Sequence, residues 1–169
     1  MINQHILQGL YGAIVVDKPD QPPVRDNTIF MAEIGFNVAG TGAPAFIMNG
    51  IGIPGGETTL EQIFSTSGLA GVVDQFNKTV PAFKANVGET IRLHVVNIGN
   101  LYHSFHLHGT NMVSQWYFPG RIWPANVIQL VPGAADSIII QPQYTGVWFF
   151  HCHVVSHADA GMIGVLQVV

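Results

Sequence analysis

The stretch Trp148-Phe149-Phe150-His151-Cys152-His153-Val154-Val155-Ser156-His157 decides how this chain is read. Three aromatic residues run into a His-Cys-His triplet, a composition that suits a strand. Successive side chains on a strand point to opposite faces, so His151 and His153 share one face and Cys152 takes the other. His157 and Met162 follow closely, so one short turn can bring three side chains of this segment to one place.

Working outward, a second cluster matches the first: His103-Ser104-Phe105-His106-Leu107-His108-Gly109. His106 and His108 have one parity and His103 the other. If the two segments pair side by side, one group contains His103 and Cys152, and the other contains His106, His108, His151 and His153. The clusters hold six of the eight histidines and the only cysteine of a chain that is 9% charged. The pattern therefore specifies two metal sites back to back, joined through Cys152 and its neighbours.

The ligand types point to copper. One thiolate, two imidazoles and a thioether, from Cys152, His103, His157 and Met162, form the set of a blue-copper centre with a weak axial methionine. Zinc competes for Cys and His, but it has no use for a thioether, and structural zinc sites favour more than one cysteine. The four-histidine group by itself suits copper, zinc or iron; its place beside a copper thiolate favours copper. His94, on the polar side of a strand, reads as a hydrogen-bonded structural residue, and His5 as a structural or vestigial one. Asp136 and Asp159 read as solvated acids, and Trp148, Phe149 and Phe150 as core and site wall.

The rest of the sequence sets the frame. Hydrophobic residues make up 48% of the 169, enough for one packed domain plus a tail. Strand signals recur at 12–16, 28–36, 45–48, 91–96, 137–140, 148–153 and 165–169, with a turn at Gly40-Thr41-Gly42. Residues 91–96 alternate, with Ile91, Leu93 and Val95 on one face and Arg92 and His94 on the other. One short helix is expected, with Thr58 and Glu61 as a capping box and Gly68 as its stop. The fold class is all-β, a Greek-key sandwich. A net charge of −4 with no basic cluster gives no reason to expect nucleic-acid binding. No apolar run is long enough for a membrane helix, and Met1 begins no signal peptide. A mature or excised form is expected.

A short repeat bears on domain organisation. His5-Ile-Leu-Gln-Gly9-Leu10-Tyr-Gly12 matches His157-Ala-Asp-Ala-Gly161-Met162-Ile-Gly164, each followed by an apolar strand. Residues 1–26 then read as the tail strand of a preceding domain plus a Pro-rich linker, and 27–169 as the copper-binding domain. On this register Met1 stands where His153 does in the second copy.

The two ligand motifs resemble the C-terminal cupredoxin domain of multicopper oxidases, laccases and their relatives, and look most like the two-domain types. Supporting segments are Phe46-Ile-Met-Asn49-Gly50, Val87-Gly-Glu-Thr-Ile-Arg92, Pro132-Gly133 and Gly146-Val-Trp148, so the resemblance covers about residues 28–169. It implies that His103, Cys152, His157 and Met162 hold type 1 copper, that His106 is a type 2 ligand, and that His108, His151 and His153 are ligands of the type 3 pair. In the family, electrons from a reductant enter at type 1 copper and pass through the Cys-His segment to a trinuclear cluster that reduces dioxygen to water. That cluster takes further histidines from His-x-His motifs of an N-terminal domain, and no such motif precedes His103 here. The resemblance therefore implies a missing N-terminal cupredoxin partner and a homo-oligomer, a trimer in the two-domain relatives. It also implies a small-molecule or metal-ion reductant, dioxygen as acceptor, and an extracellular or periplasmic setting.

Two other readings stay open on the sequence. One is a stand-alone blue-copper electron-transfer module. The other is a relative of copper nitrite reductases, which would lack the counterparts of His153 and His108.

Overall fold

The structure is a computed structural model, and it describes residues 5–6, 8–35, 45–53, 55–79, 82–114 and 124–169. Two sheets form the body. The first has strands β1 (Arg25–Ile34), β2 (Ala45–Met48), β4 (Ile91–Asn97), β6 (Met112–Ser114), β7 (Pro124–Ala125) and β9 (Ala135–Ile140), in the order β2-β1-β4-β9-β6-β7. The second has β3 (Ala82–Ala85), β5 (His103–Leu107), β8 (Val127–Leu130), β10 (Gly146–Cys152) and β11 (Ile163–Val168), in the order β3-β11-β10-β5-β8. Pairing is antiparallel except for β1 with β4 and β11 with β3.

Alternation explains why these segments are strands. Ile29 and Met31 of β1, Leu93 and Val95 of β4, and Ile138 and Ile140 of β9 meet Phe105, Leu107, Leu130, Phe150 and Leu166 of the other sheet in one apolar core. Each such side chain stabilises the fold by roughly 1.5–3 kcal/mol on burial, before conformational entropy is set against it. Phe150 anchors this core, 5.2 Å from the Phe83 ring and 5.7 Å from Phe105. The odd-numbered residues of β10 and β11 face the opposite way: Ile163 and Val165, with Val147 and Phe149, pack on Leu60 and Val72 of a helix. Cys152 thus points between the sheets, and His151 points to the outer face.

That helix, α1 (Gly56–Thr79), is longer than the sequence signals suggested. Gly68 does interrupt it, with φ +62 and ψ −166, but the helix resumes beyond. Burial of Val72 beside Leu60 rewards the restart. Thr58 lies in the first turn rather than at the cap. A second helix, α2 (Val155–Asp159), carries His157. Among the described residues no helix is long and apolar enough to cross a membrane.

The strand expected at 12–16 is not formed: these residues have no regular element and lie outside both sheets, with Ile14 and Val16 exposed to solvent. An apolar run alone does not make a strand without a partner edge. The Pro-rich stretch 17–23 has no regular element, although Asp17 reaches Arg92. The Gly40-Thr41-Gly42 turn and Phe36, the expected end of the 28–36 strand, lie outside the described residues.

Candidate metal centre

The pairing of β5 with β10 supplies the register that strand parity requires. Phe150 stands opposite Leu107, His151 opposite His106, and Cys152 opposite Phe105. Two groups of side chains result, one on each face of the sheet.

The inner group is Cys152, His103 and His157, whose donor atoms all lie within 4.8 Å of one another. The Cys152 Sγ is 3.9 Å from Nδ1 of His103 and 3.6 Å from Nδ1 of His157, and the two Nδ1 atoms are 3.3 Å apart. Cys152, His103 and Met162 are fully buried. The loop is closed by its own backbone: the Met162 N–H donates to His157 O at 3.0 Å, and the Cys152 N–H donates to Met162 O at 3.0 Å. Gly161 sits between them at φ +117, where a Cβ would approach Ile53 N to 2.8 Å, so the tight return needs glycine. The Ser104 N–H points at the thiol sulfur at 3.5 Å, and the ring of His157 stacks on Phe46 at 4.0 Å.

The electrostatics follow from this crowding. Burial pushes His103 down, but its contacts with Cys152 and Glu33 outweigh that and hold it above the usual histidine value. Burial pushes Glu33 up, but hydrogen bonds from His103 and the Asn100 N–H bring it below the usual carboxylate value. Burial, then the nearby His103, hold His157 below its usual value. The donor set itself, a buried thiol with two imidazoles in reach, fits a soft cation that displaces the protons on binding.

The outer group is His106, His108 and His151, again with donor atoms within 4.8 Å of one another. Nε2 of His108 lies 3.0 Å from Nε2 of His151. The other nitrogens are tied back: Nδ1 of His151 to Cys152 O at 3.0 Å, and Nδ1 of His106 to Asn126 O. Since carbonyls only accept, both rings carry the proton on Nδ1 and turn an Nε2 lone pair toward the group, the arrangement a metal-binding histidine needs. His153 is exposed; its ring lies 5.0 Å from His106 and 5.7 Å from His151, at the rim of the group rather than within its closest set. The His108 N–H donates to Phe149 O at 2.9 Å. Gly109 follows at φ +73, with the Trp148 ring where a Cβ would be, 2.3 Å away.

The remaining histidine readings separate cleanly. His94 is hydrogen-bonded to Ser137 Oγ at 2.8 Å and Asp26 Oδ1 at 3.1 Å, beside the Arg92–Asp26 pair, so it is structural. His5 is exposed and far in sequence from both groups. Asp159 is exposed, as read, but Asp136 is not solvated: it is 2% exposed and accepts the Ser114 hydroxyl at 2.6 Å. Sequence reasoning passed over Glu33, although the alternation of Ile29, Met31 and Glu33 puts an acid on the apolar face of β1. It also passed over the Asn126 carbonyl, for which no side-chain signal exists.

Comparison with known proteins gives the family. The family profile described as multicopper oxidase matches residues 54–169. Ceruloplasmin of Ovis aries is 38% identical over 72 residues, 43% of this chain and 6% of that protein. The chain therefore spans only a small part of that relative. A solved multicopper oxidase of Campylobacter jejuni, described as a metallo-oxidase, superposes with TM-score 0.61 at 20% identity, covering 91% of this chain and 32% of that one. A copper nitrite reductase of Nitrosomonas europaea superposes with TM-score 0.71 at 21% identity, covering 99% and 58%. At those identities the two solved structures establish the cupredoxin-like sandwich and nothing finer. The match over residues 54–169 goes further, and by it this chain belongs to the multicopper oxidase family, as one of its cupredoxin domains.

Proposed function

We propose that this chain is the C-terminal cupredoxin domain of a multicopper oxidase, carrying the type 1 electron-input site and half of a trinuclear oxygen-reducing site. The observation that carries the reading is the register of β10 on β5, which puts Cys152 with His103 and His157 on one face and His151 with His106 and His108 on the other. Cys152, His103, His157 and Met162 would hold type 1 copper. His106 would serve type 2 copper, and His108, His151 and His153 the type 3 pair. Copper in these places would supply one-electron exchange at the thiolate and dioxygen reduction at the histidines.

The chain's own residues divide the work. The fully buried Cys152, Phe105 and Phe150 keep water from the thiol. The backbone from His151 to His153 joins the two faces through consecutive residues, a covalent path for electrons. The Asn126 and Cys152 carbonyls fix the tautomers of His106 and His151. His153 at the exposed rim leaves the outer group open to ligands from another body.

Residues 1–26 are, on this reading, the tail strand and linker of a preceding cupredoxin domain. The repeat is matched in the backbone. Leu10 N–H to His5 O (3.0 Å), Gly9 N–H to Ile6 O (2.9 Å) and Tyr11 N–H to Gly9 O (3.0 Å) reproduce the bonds from Met162 to His157 (3.0 Å), Gly161 to Ala158 (2.9 Å) and Ile163 to Gly161 (2.9 Å). Gly9 at φ +96 stands where Gly161 is at +117. Burial differs in the sense expected of a strand separated from its sheet: Leu10, Ile14 and Val16 are 73%, 95% and 87% exposed, while Met162, Leu166 and Val168 are 0%, 0% and 3%. The partner is then an N-terminal cupredoxin domain, and a homo-oligomer such as a trimer would bring the halves of the oxygen site together. A small-molecule or metal-ion reductant and an extracellular or periplasmic setting complete the reading.

Oxygen uptake tests it. The copper-loaded chain, with no partner domain added, is expected to show reversible one-electron chemistry but no sustained dioxygen reduction with a phenolic or metal-ion donor. Sustained uptake by a chain shown to be free of partner would overturn the half-site reading. The presence of both His108 and His153 favours this function over that of a nitrite reductase.

A further inference from the structure

One acidic side chain is fully buried at the inner group and is not among its donors. Glu33, the inward-facing residue near the end of β1, has 0% exposure. Its Oε2 lies 3.0 Å from Nε2 of His103, itself 0% exposed. Its Oε1 accepts the backbone N–H groups of Asn100 and of Leu101, the latter at 3.2 Å. Gly99 makes room for the carboxylate, since a Cβ there would run into Oε2.

A buried carboxylate is a poor way to stabilise a core, because it must be stripped of water where an apolar side chain of the same shape need not be. What it does accomplish is specific. A carboxylate only accepts, so Nε2 of His103 must be the protonated nitrogen, and Nδ1 is left as the lone-pair nitrogen facing Cys152 and His157. Metal-bound histidines are held in this way by a carboxylate on the far ring nitrogen, and such partners typically change metal affinity about 10–100-fold.

We infer that Glu33 is a positioning residue for the Cys152–His103–His157 site: it sets the tautomer and ring orientation of His103 and places a fixed negative charge that favours the oxidised copper over the reduced. This rests on the proposal that the inner group holds copper. The carboxylate acts through His103 and touches neither the thiol nor the metal position. It comes from the opposite sheet, so it also ties the site to β1 across the sandwich.

The test compares the parent chain with E33Q and E33D, all copper-loaded. E33Q keeps the shape and removes the charge; its reduction potential at the thiolate site should rise and its copper affinity fall roughly 10–100-fold. E33D keeps the charge but is one methylene short, and its potential should lie between the two. A folded E33Q whose potential and copper–thiolate spectrum equal the parent's overturns the inference while leaving the copper assignment standing. Absence of a copper–thiolate band in the parent overturns both. If E33Q does not fold, nitrogen NMR of His103 in the parent chain loaded with Cu(I) decides. A slowly exchanging proton on Nε2 with a hydrogen-bonded shift supports the inference, and an Nε2 without a proton overturns it.

Discussion

His151 stands directly opposite His106 in the antiparallel pairing of β10 with β5, and Cys152, one residue on, stands opposite Phe105 on the other face. A slip of one residue would exchange every side chain between the faces and dissolve both donor groups at once. The register is held by what lies inside: Phe150, Phe105 and Leu107 are all buried in the same core.

Truncating that anchor should show its weight. Phe150→Ala is expected to cost about 3–5 kcal/mol, because the fully buried ring leaves a cavity between Phe83 and Phe105. Urea unfolding of the metal-free chain measures it; a loss under about 1 kcal/mol would mean that the site can collapse around the deletion.

Cys152→Ser should separate the two sites. The intense visible absorption of a copper thiolate is expected to vanish, while copper remains on the histidine face through His106, His108 and His151. Metal analysis and visible spectra check this; loss of all copper would contradict two independent groups.

Gly109→Ala places a Cβ 2.3 Å from the Trp148 ring at a residue with φ +73. The expected cost is about 1–3 kcal/mol, with weaker copper retention on the outer face because His108 is the preceding residue. Denaturation midpoints and copper titration of the variant test both parts.

Acid sensitivity should trace in part to Asp26. Hydrogen bonds from Arg92 hold its carboxyl below the ordinary value of 3.8, burial opposes them, and His94 adds to the lowering. A carboxyl lowered on folding stabilises fully above its unfolded value, and that contribution is lost as pH falls through the lower folded value. The melting temperature of Asp26→Asn should therefore lie below the parent's by a steady amount near neutral pH. The gap should shrink below about pH 4. A gap that widens on acidification would contradict the assignment.

The two groups of side chains were legible because period-2 alternation fixes faces without any knowledge of the fold. His151, Cys152, His106 and His108 needed only the assumption that their segments pair. His153 was less so, because β10 ends at Cys152 and parity no longer governs the next residue. The strand content was legible where the sequence alternates, as in β4, and opaque in β3 and β8, whose four residues each are defined by neighbours rather than by pattern. The length of α1 was hidden because tertiary burial of Val72 overrides the break at Gly68. Residues 12–16 illustrate the converse: a strand-like sequence stays unpaired when no sheet edge meets it. Glu33 was missed because an acid in an apolar run looks like surface until the opposite sheet shows what it holds.

The most direct measurement is a crystal of the copper-loaded chain with anomalous data collected at the copper edge. One copper peak is expected bonded to Cys152 Sγ and the Nδ1 atoms of His103 and His157, with separate copper density at the Nε2 atoms of His106, His108 and His151. Copper confined to the histidine face, with no peak at Cys152 in a folded and fully loaded crystal, would contradict it.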